Sequence, residues 1–301
     1  MFLLHTGDTA RGDFFSEIFL DGLLDTLKIL PFLLLTYLLM EFIEHKAEGK
    51  LESFIKKSGK FAPLAGGALG IIPQCGFSTV VSNLYTGRVI GMGTLVAVFL
   101  STSDEMLPIL ISGNLPAQSI IGILAYKLVV SIAVGFAVSI AVYSLKGGKE
   151  EINIDEFCES DGCSCTKGIL RSALHHTLSI SLFILLITWL INTLVFFVGE
   201  DGIKTVLYDK PIISHLIASI LGLIPNCAVS VALTGFFKDG FITLGTMLSG
   251  LFSGAGVGLL VLLRVNKRIK ENLVIISILV ASGFIFGWLA DVFNLGLLFG
   301  I

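Results

Sequence analysis

Apolar residues in this chain run on rather than alternate. Ile29–Met40, Ala117–Leu145, Ser179–Val198 and Leu273–Leu289, with their flanks, make stretches of the size a bilayer-spanning helix needs, roughly twenty residues for a ~30 Å hydrocarbon core. The pattern predicts an all-α polytopic membrane protein. Composition agrees: of 301 residues, 54% are hydrophobic and 14% charged, against about a quarter charged in soluble domains. The net charge of −3 averages over two aqueous faces. No basic patch with interleaved aromatics points to nucleic acid, so the lipid bilayer is the first partner expected. The opening "MFLLHTGDTARGDFFSE" lacks the basic n-region of a signal peptide. Residues 1–17 are expected to remain as a polar external lead-in.

The chain also repeats itself. "LGIIPQCGFS" (69–78) returns as "LGLIPNCAVS" (221–230), 152 residues on. At that offset "LLLTYLL" (33–39) falls on "LLITWLI" (185–191) and Gly93-Thr94 on Gly245-Thr246, with no gap from about 27 to 112. Ser101 meets Ser253. The last helices, "SIAVGFAVSIAV" and "LVASGFIFGWLA", align if the offset drops to 148. Two homologous units follow, repeat 1 (18–145) and repeat 2 (169–301), joined by a polar linker (146–168).

Loop charge orients them. Cytoplasmic loops collect Lys and Arg. Residues 44–60 hold five lysines, whereas the copy at 199–210 is acidic on balance. The uncharged "SGNLPAQ" (112–118) has as its copy the basic "RVNKRIK" (264–270). Each loop therefore faces away from its copy, the pattern of inverted-topology repeats in secondary transporters. Residues 61–111 must cross an odd number of times. Three short crossings give five helices per repeat, ten in all, with both termini outside and the linker cytosolic. One crossing plus a re-entrant hairpin satisfies the same parity.

The repeated motif is the first candidate site. Pro73 and Pro225 remove a helical N–H, and a break at membrane depth survives only against protein or a wet cavity. Beside the breaks stand the amides of Gln74 and Asn226, the sulfurs of Cys75 and Cys227, and one turn later the hydroxyls of Ser78 and Ser230. Paired broken helices about a pseudo-twofold axis would form one central binding site. The bland alternative is that each Cys is a buried small hydrophobe.

The second candidate is "FLSTSDEMLP" (99–108). Here Ser101, Asp104 and Glu105 lie inside an apolar region, where a carboxylate marks a cation ligand or proton carrier by default; the alternative is that residues 101–105 form the tip of a hairpin in water. Repeat 2 has Gly256 and Val257 in place of the two acids. Lys127, ten residues into its helix, either neutralises Asp104 or Glu105 or snorkels to the surface. Asp25 and Lys28 read as an ion pair with Asp21 a turn earlier, His175-His176 as a solvated helix start, and His215 as a residue of a helix entrance. In the linker, Cys158, Cys163 and Cys165 are three thiols among acids. In a reducing cytosol metal or redox roles outweigh disulfides, so the trio reads either as a metal or metalloid capture site or as part of a plain flexible linker.

These features resemble a bacterial and archaeal family of ten-helix heavy-metal exporters, also called arsenic efflux proteins and distantly akin to organoarsenical permeases. The likeness lies in the duplicated Pro-(Gln/Asn)-Cys, the acidic "STSDE" and the Cys-bearing linker. Some members have been labelled manganese transporters. The resemblance implies ten helices and export of a metal or metalloid. No phosphate-binding Gly-Lys-Ser/Thr motif is present, and no cofactor is expected, so transport would run on a gradient or a separate subunit. Soft thiolates favour trivalent arsenic or antimony, whereas the acids and amides favour a manganese-type cation. An intramembrane enzyme and a passive channel are the readings of other classes. A homo-oligomer is left open.

Overall fold

The computed structural model describes residues 62–71, 75–102, 106–113, 115–145, 211–225 and 227–299, with scattered positions at 23–38 and 174–193. The N-terminal lead-in, the 44–60 and 199–210 loops and the 146–168 linker fall outside the described residues. The described elements are all helical. In the first half they are α1 (Ala62–Gly70), α2 (Cys75–Thr86), α3 (Met92–Ser101), α4 (Met106–Ser112) and α5 (Ala117–Leu145). The second half has α6 (Pro211–Gly222), α7 (Cys227–Lys238), α8 (Leu244–Ser253), α9 (Val257–Val265) and α10 (Ile269–Val292), followed by the short α11 (Leu295–Phe299). The helices α2 and α7, and likewise α3 and α8, begin and end 152 residues apart.

Every residue of α3 and of α8 is buried. Leu95, Phe99, Leu248 and Phe252 belong to one core with residues of α5 and α10. The two long helices wrap this centre. On α5, Ile123, Lys127, Val130 and Ser131 point in, while Ile121, Val129 and Ile140 are exposed. Both faces are apolar, as in a helix whose outer side meets lipid. Three described stretches are long and apolar enough to cross a membrane: Ala117–Leu145, Leu244–Val265 and Ile269–Val292. The middle one, α8 and α9 together, is the buried one.

Lipid tails are as apolar as leucine, so helices in a bilayer associate through close packing of small residues. A Cβ on Gly93 would strike the Gly135 carbonyl and Ser139, and one on Gly245 would strike the Gly287 carbonyl and Asp291. A neighbouring contact has exchanged its partners. Gly67 faces Ser131 (3.4 Å to Oγ from an ideal Cβ), whereas Ser219 faces Gly283 (3.1 Å). Each junction keeps one glycine and one serine on opposite helices. These contacts hold the 152 offset through the last long helices, because Gly135 corresponds to Gly287. The 148 alignment, which matched Gly135 with Gly283, is corrected. It followed a local Ser/Gly similarity rather than the helix contacts.

Chain direction follows from the same contacts. Along α1, Gly66 lies on Thr94 and Val98 and Gly70 on Val98 and Ser101, so α1 and α3 run parallel. Along α6, His215 lies on Ser249, Gly222 on Gly250 and Ser253, so α6 and α8 also run parallel. The helix between each parallel pair, α2 or α7, must run back. The arms are short: α6 and α7 have 12 residues each, about 18 Å at 1.5 Å per residue. Gly222 sits against Ser253, the middle of the Leu244–Val265 stretch, with Pro225 in the turn before α7.

The long helix α10 relates the two arm pairs. In its first turn, Glu271 accepts hydrogen bonds from Tyr85 Oη (3.0 Å) and Arg88 (3.1 Å), just past the end of α2. In its last turn, Asp291 holds His215 and Gly245, from α6 and the start of α8. Twenty residues separate Glu271 from Asp291, about 30 Å of helix. One arm pair thus meets α10 at one end and the other pair at the opposite end.

Candidate transport site at the helix breaks

Two helices stop partway along their apolar stretches. The first, α3, ends at Ser101, with Thr102 as its cap, and α4 begins at Met106. Its counterpart α8 ends at Ser253, and α9 begins at Val257 after Gly254–Gly256. Gly256 has φ +56° and ψ −147°, a conformation essentially confined to glycine. It occupies the place of Asp104, so repeat 2 could keep an acid there only with a different backbone.

Lys127 joins the breaks. It is 0% exposed, which corrects the snorkelling alternative. The side chain turns inward at the eleventh residue of a 29-residue helix. Its Nζ donates to the Thr102 carbonyl at 2.7 Å and to the Leu251 carbonyl at 3.1 Å, and stands over the Phe252 ring at 5.5 Å. Both carbonyls lie at C-terminal helix ends, where the helix dipole favours a cation. One ammonium therefore clamps the two breaks together. In the second half the equivalent residue is Leu279, fully buried and apolar, so the clamp is single.

The repeated motif meets these breaks. Gly70 ends α1 against Ser101, and Gly222 ends α6 against Ser253, which brings the C-terminal ends of α1 and α6, each three residues before its motif proline in sequence, against the breaks. Cys75 and Cys227 are the first residues of α2 and α7. Ser78 is fully buried and lies against α9, where a Cβ on Gly258 would come within 2.7 Å of Ser78 Cβ. One turn on, Ser82 Oγ reaches the Ser78 carbonyl (2.8 Å) and the Gly258 carbonyl (2.7 Å). Ser230 is half-buried in α7, which packs on α4 and α8, and its carbonyl accepts from Thr234 Oγ1. Each motif helix thus packs on the other repeat: α2 on α9, α7 on α4.

Gln74, Asn226, Asp104, Glu105 and Cys158, Cys163 and Cys165 lie outside the described residues, as do Pro73, Asp21, Asp25, Lys28, His175 and His176. The flanking helices bracket Asp104 and Glu105 within the α3–α4 break. Among the described residues no group of three His, Cys, Asp or Glu could hold a metal ion. Sequence reasoning missed Asp291 and Ser249, which pair with His215. It also missed the Tyr85–Arg88–Glu271 junction. The acids at the two ends of the last long apolar stretch were the available signal. His215 is not at a helix entrance but in the second turn of α6 and 2% exposed, because α8 and α10 close over it.

Residues 15–201, more than half of the chain, match the family described as "Putative, 10TM heavy-metal exporter". The chain belongs to that family. No curated protein and no solved structure matches it. Together with the apolar helices, membership in this exporter family makes it a multi-pass membrane protein. The match stops short of α6–α11. Those helices are tied to the matched part by the 152-residue correspondence.

Proposed function

We propose that the protein is a gradient-driven exporter of a thiophilic metalloid, of the trivalent arsenic or antimony class, built as two inverted repeats. Each repeat contributes a re-entrant hairpin (α1–α2, α6–α7) and a broken span (α3–α4, α8–α9). The proposal rests on one arrangement: both hairpin tips abut helix breaks, at Gly70–Ser101 and Gly222–Ser253, and Lys127 ties the breaks together. Inversion is supported by the loops at the hairpin mouths. Arg88 meets the basic 264–270 segment through Glu271 and Arg268. The Lys238 side chain lies 3.0 Å from where a Cβ on Gly113 would be, in the uncharged 112–118 loop.

Cys75 and Cys227 supply soft sulfur at the tips. Gln74, Asn226, Ser78, Ser230 and Ser101 line the approach. Asp104 or Glu105 exchanges the coupling proton. Cys158, Cys163 and Cys165 gather substrate on the cytosolic side, and both termini lie outside. The thiols collect the metalloid, the tips bind it, and the repeats rock against each other. A manganese-type cation is the second reading, because the atoms that hold the Lys127 ammonium are backbone oxygens, donors that suit hard cations. Enzymatic use of the Ser249–His215–Asp291 row is disfavoured: Ser249 is fully buried and donates to the Gly245 carbonyl, leaving a substrate no approach.

The test is cell-associated arsenic, antimony and manganese in a metal-sensitive host. Lower antimony and arsenic, abolished by Cys75→Ala/Cys227→Ala, is expected. A change confined to manganese and indifferent to the cysteines would transfer the site to Asp104, Glu105, Gln74 and Asn226.

A further inference from the structure

His215, Asp291 and Ser249 come from three helices, and the central breaks do not use them. His215 Nε2 is 3.3 Å from Asp291 Oδ2, and Nδ1 is 3.1 Å from Ser249 Oγ. Ser249 Oγ in turn lies 2.9 Å from the Gly245 carbonyl. The Asp291 carboxylate also accepts from the Gly245 amide at 2.7 Å and from the Thr243 hydroxyl. It is 26% exposed, while the imidazole is 2% exposed and Ser249 is fully buried. The row leads from a wettable carboxylate to the interior of α8, one turn above Ser253 and its helix break.

The contacts of the row differ in kind. Nδ1–H can donate to Ser249 while Ser249 donates to the Gly245 carbonyl, and Nε2 stands within ion-pair range of the Asp291 carboxylate. A proton taken up at Nε2 would be held by that carboxylate and would tie α6 to α10; its loss removes the tie.

The first half makes the same helix junction without any of this. The equivalents of His215, Ser249 and Asp291 are Pro63, Ala97 and Ser139, and they pack around Gly93 and Gly135. The junction needs no charge to hold, so its ionisable groups in the second half serve something besides packing. Other charges do not intrude among the described residues. From α8 only hydroxyls face His215, and from α10 only Asp291. The second hairpin arm, α7, carries Lys238 at its end, with Asp239 beyond it.

We propose that the His215–Asp291–Ser249 row is the outward-facing proton-loading site of the exporter. A proton from external water enters through Asp291 and rests on His215, locking the α6–α7 hairpin against α8 and α10. Its departure toward the α8 break frees the hairpin. Histidine suits the task because it is the side chain that changes charge between about pH 5 and 8. The inference rests on the gradient-driven reading above, and two readouts separate its failure from that reading's.

The first readout is antimonite efflux from cells expressing the full-length protein, against external pH. Efflux is expected to fall roughly tenfold as external pH is raised from mildly acidic to mildly alkaline, and His215→Gln and Asp291→Asn are expected to flatten the profile to within about twofold. A His215→Gln profile that matches wild type overturns the proposal. The second readout is hydrogen exchange of the α6 amides in purified wild-type protein, which needs neither substrate nor substitution. Protection must change between mildly acidic and mildly alkaline buffer, and pH-independent protection overturns the proposal. If wild type expels no antimonite at any pH, the metalloid reading fails while the exchange experiment still decides the row.

Discussion

Replacing Lys127 by Met removes one charge and almost no volume. Two charge-assisted hydrogen bonds go, to Thr102 and Leu251, at about 1.5–3 kcal/mol each. The buried ammonium's own desolvation cost, several kcal/mol, is recovered at the same time. With carbonyls as the only partners the two sums nearly cancel. Asp104 and Glu105 fall in sequence between α3 and α4, however, and if Lys127 neutralises one of them, a buried carboxylate stripped of its cation costs about 3–5 kcal/mol. Lys127→Met should therefore destabilise by roughly that amount, about 10 °C of melting temperature at 2–4 °C per kcal/mol. The check is thermal denaturation of purified protein in detergent, read as the folded fraction by size exclusion. Adding Asp104→Asn or Glu105→Gln to Lys127→Met should restore at least half of the loss, because the orphaned charge goes with it. A Lys127→Met protein as stable as wild type, with transport intact, would refute the pairing of Lys127 with Asp104 or Glu105.

A Cβ on Gly245 meets the Gly287 carbonyl and Asp291, whereas one on Gly235 meets nothing within 4 Å. Gly245→Ala should cost about 1–3 kcal/mol through overpacking, and Gly235→Ala, inside α7, should gain up to about 1 kcal/mol; melting temperatures of the two variants would show it. Glu271→Gln weakens the half-buried contacts to Arg88 and Tyr85 by about 1–2 kcal/mol. Hydrogen exchange should rise at the α2 end near Arg88 and stay unchanged in α6, some 30 Å along α10. Gly256→Asp places a side chain at φ +56° and should cost about 1–3 kcal/mol, measured against Gly254→Ala.

Much of this protein is legible in one dimension. Apolar run length marks the long helices Ala117–Leu145 and Ile269–Val292, since a bilayer sets a length that any sequence must meet. The 152-residue repeat locates both Pro-(Gln/Asn)-Cys motifs, whereas the interruptions after Ser101 and Ser253 emerged only from the structure. Charge within apolar sequence singles out Asp104, Glu105 and Lys127 by rarity alone. What stays open is direction and company. A 12-residue arm reads the same whether it crosses or turns back, and the parallel pairing of α6 with α8 shows only that α7 runs antiparallel to both. Lys127 reads equally as a snorkelling cation until α3 and α8 deliver two helix ends to it. His215 and Asp291 stand 76 positions apart in sequence, and nothing in either neighbourhood announces the other. The sequence by itself determined the solvent, the span lengths and the duplication, because each depends on local composition or on a fixed offset. Only the tertiary structure decided which charges meet, because in a bilayer it is glycine-permitted backbone approach, not burial from water, that brings helices face to face.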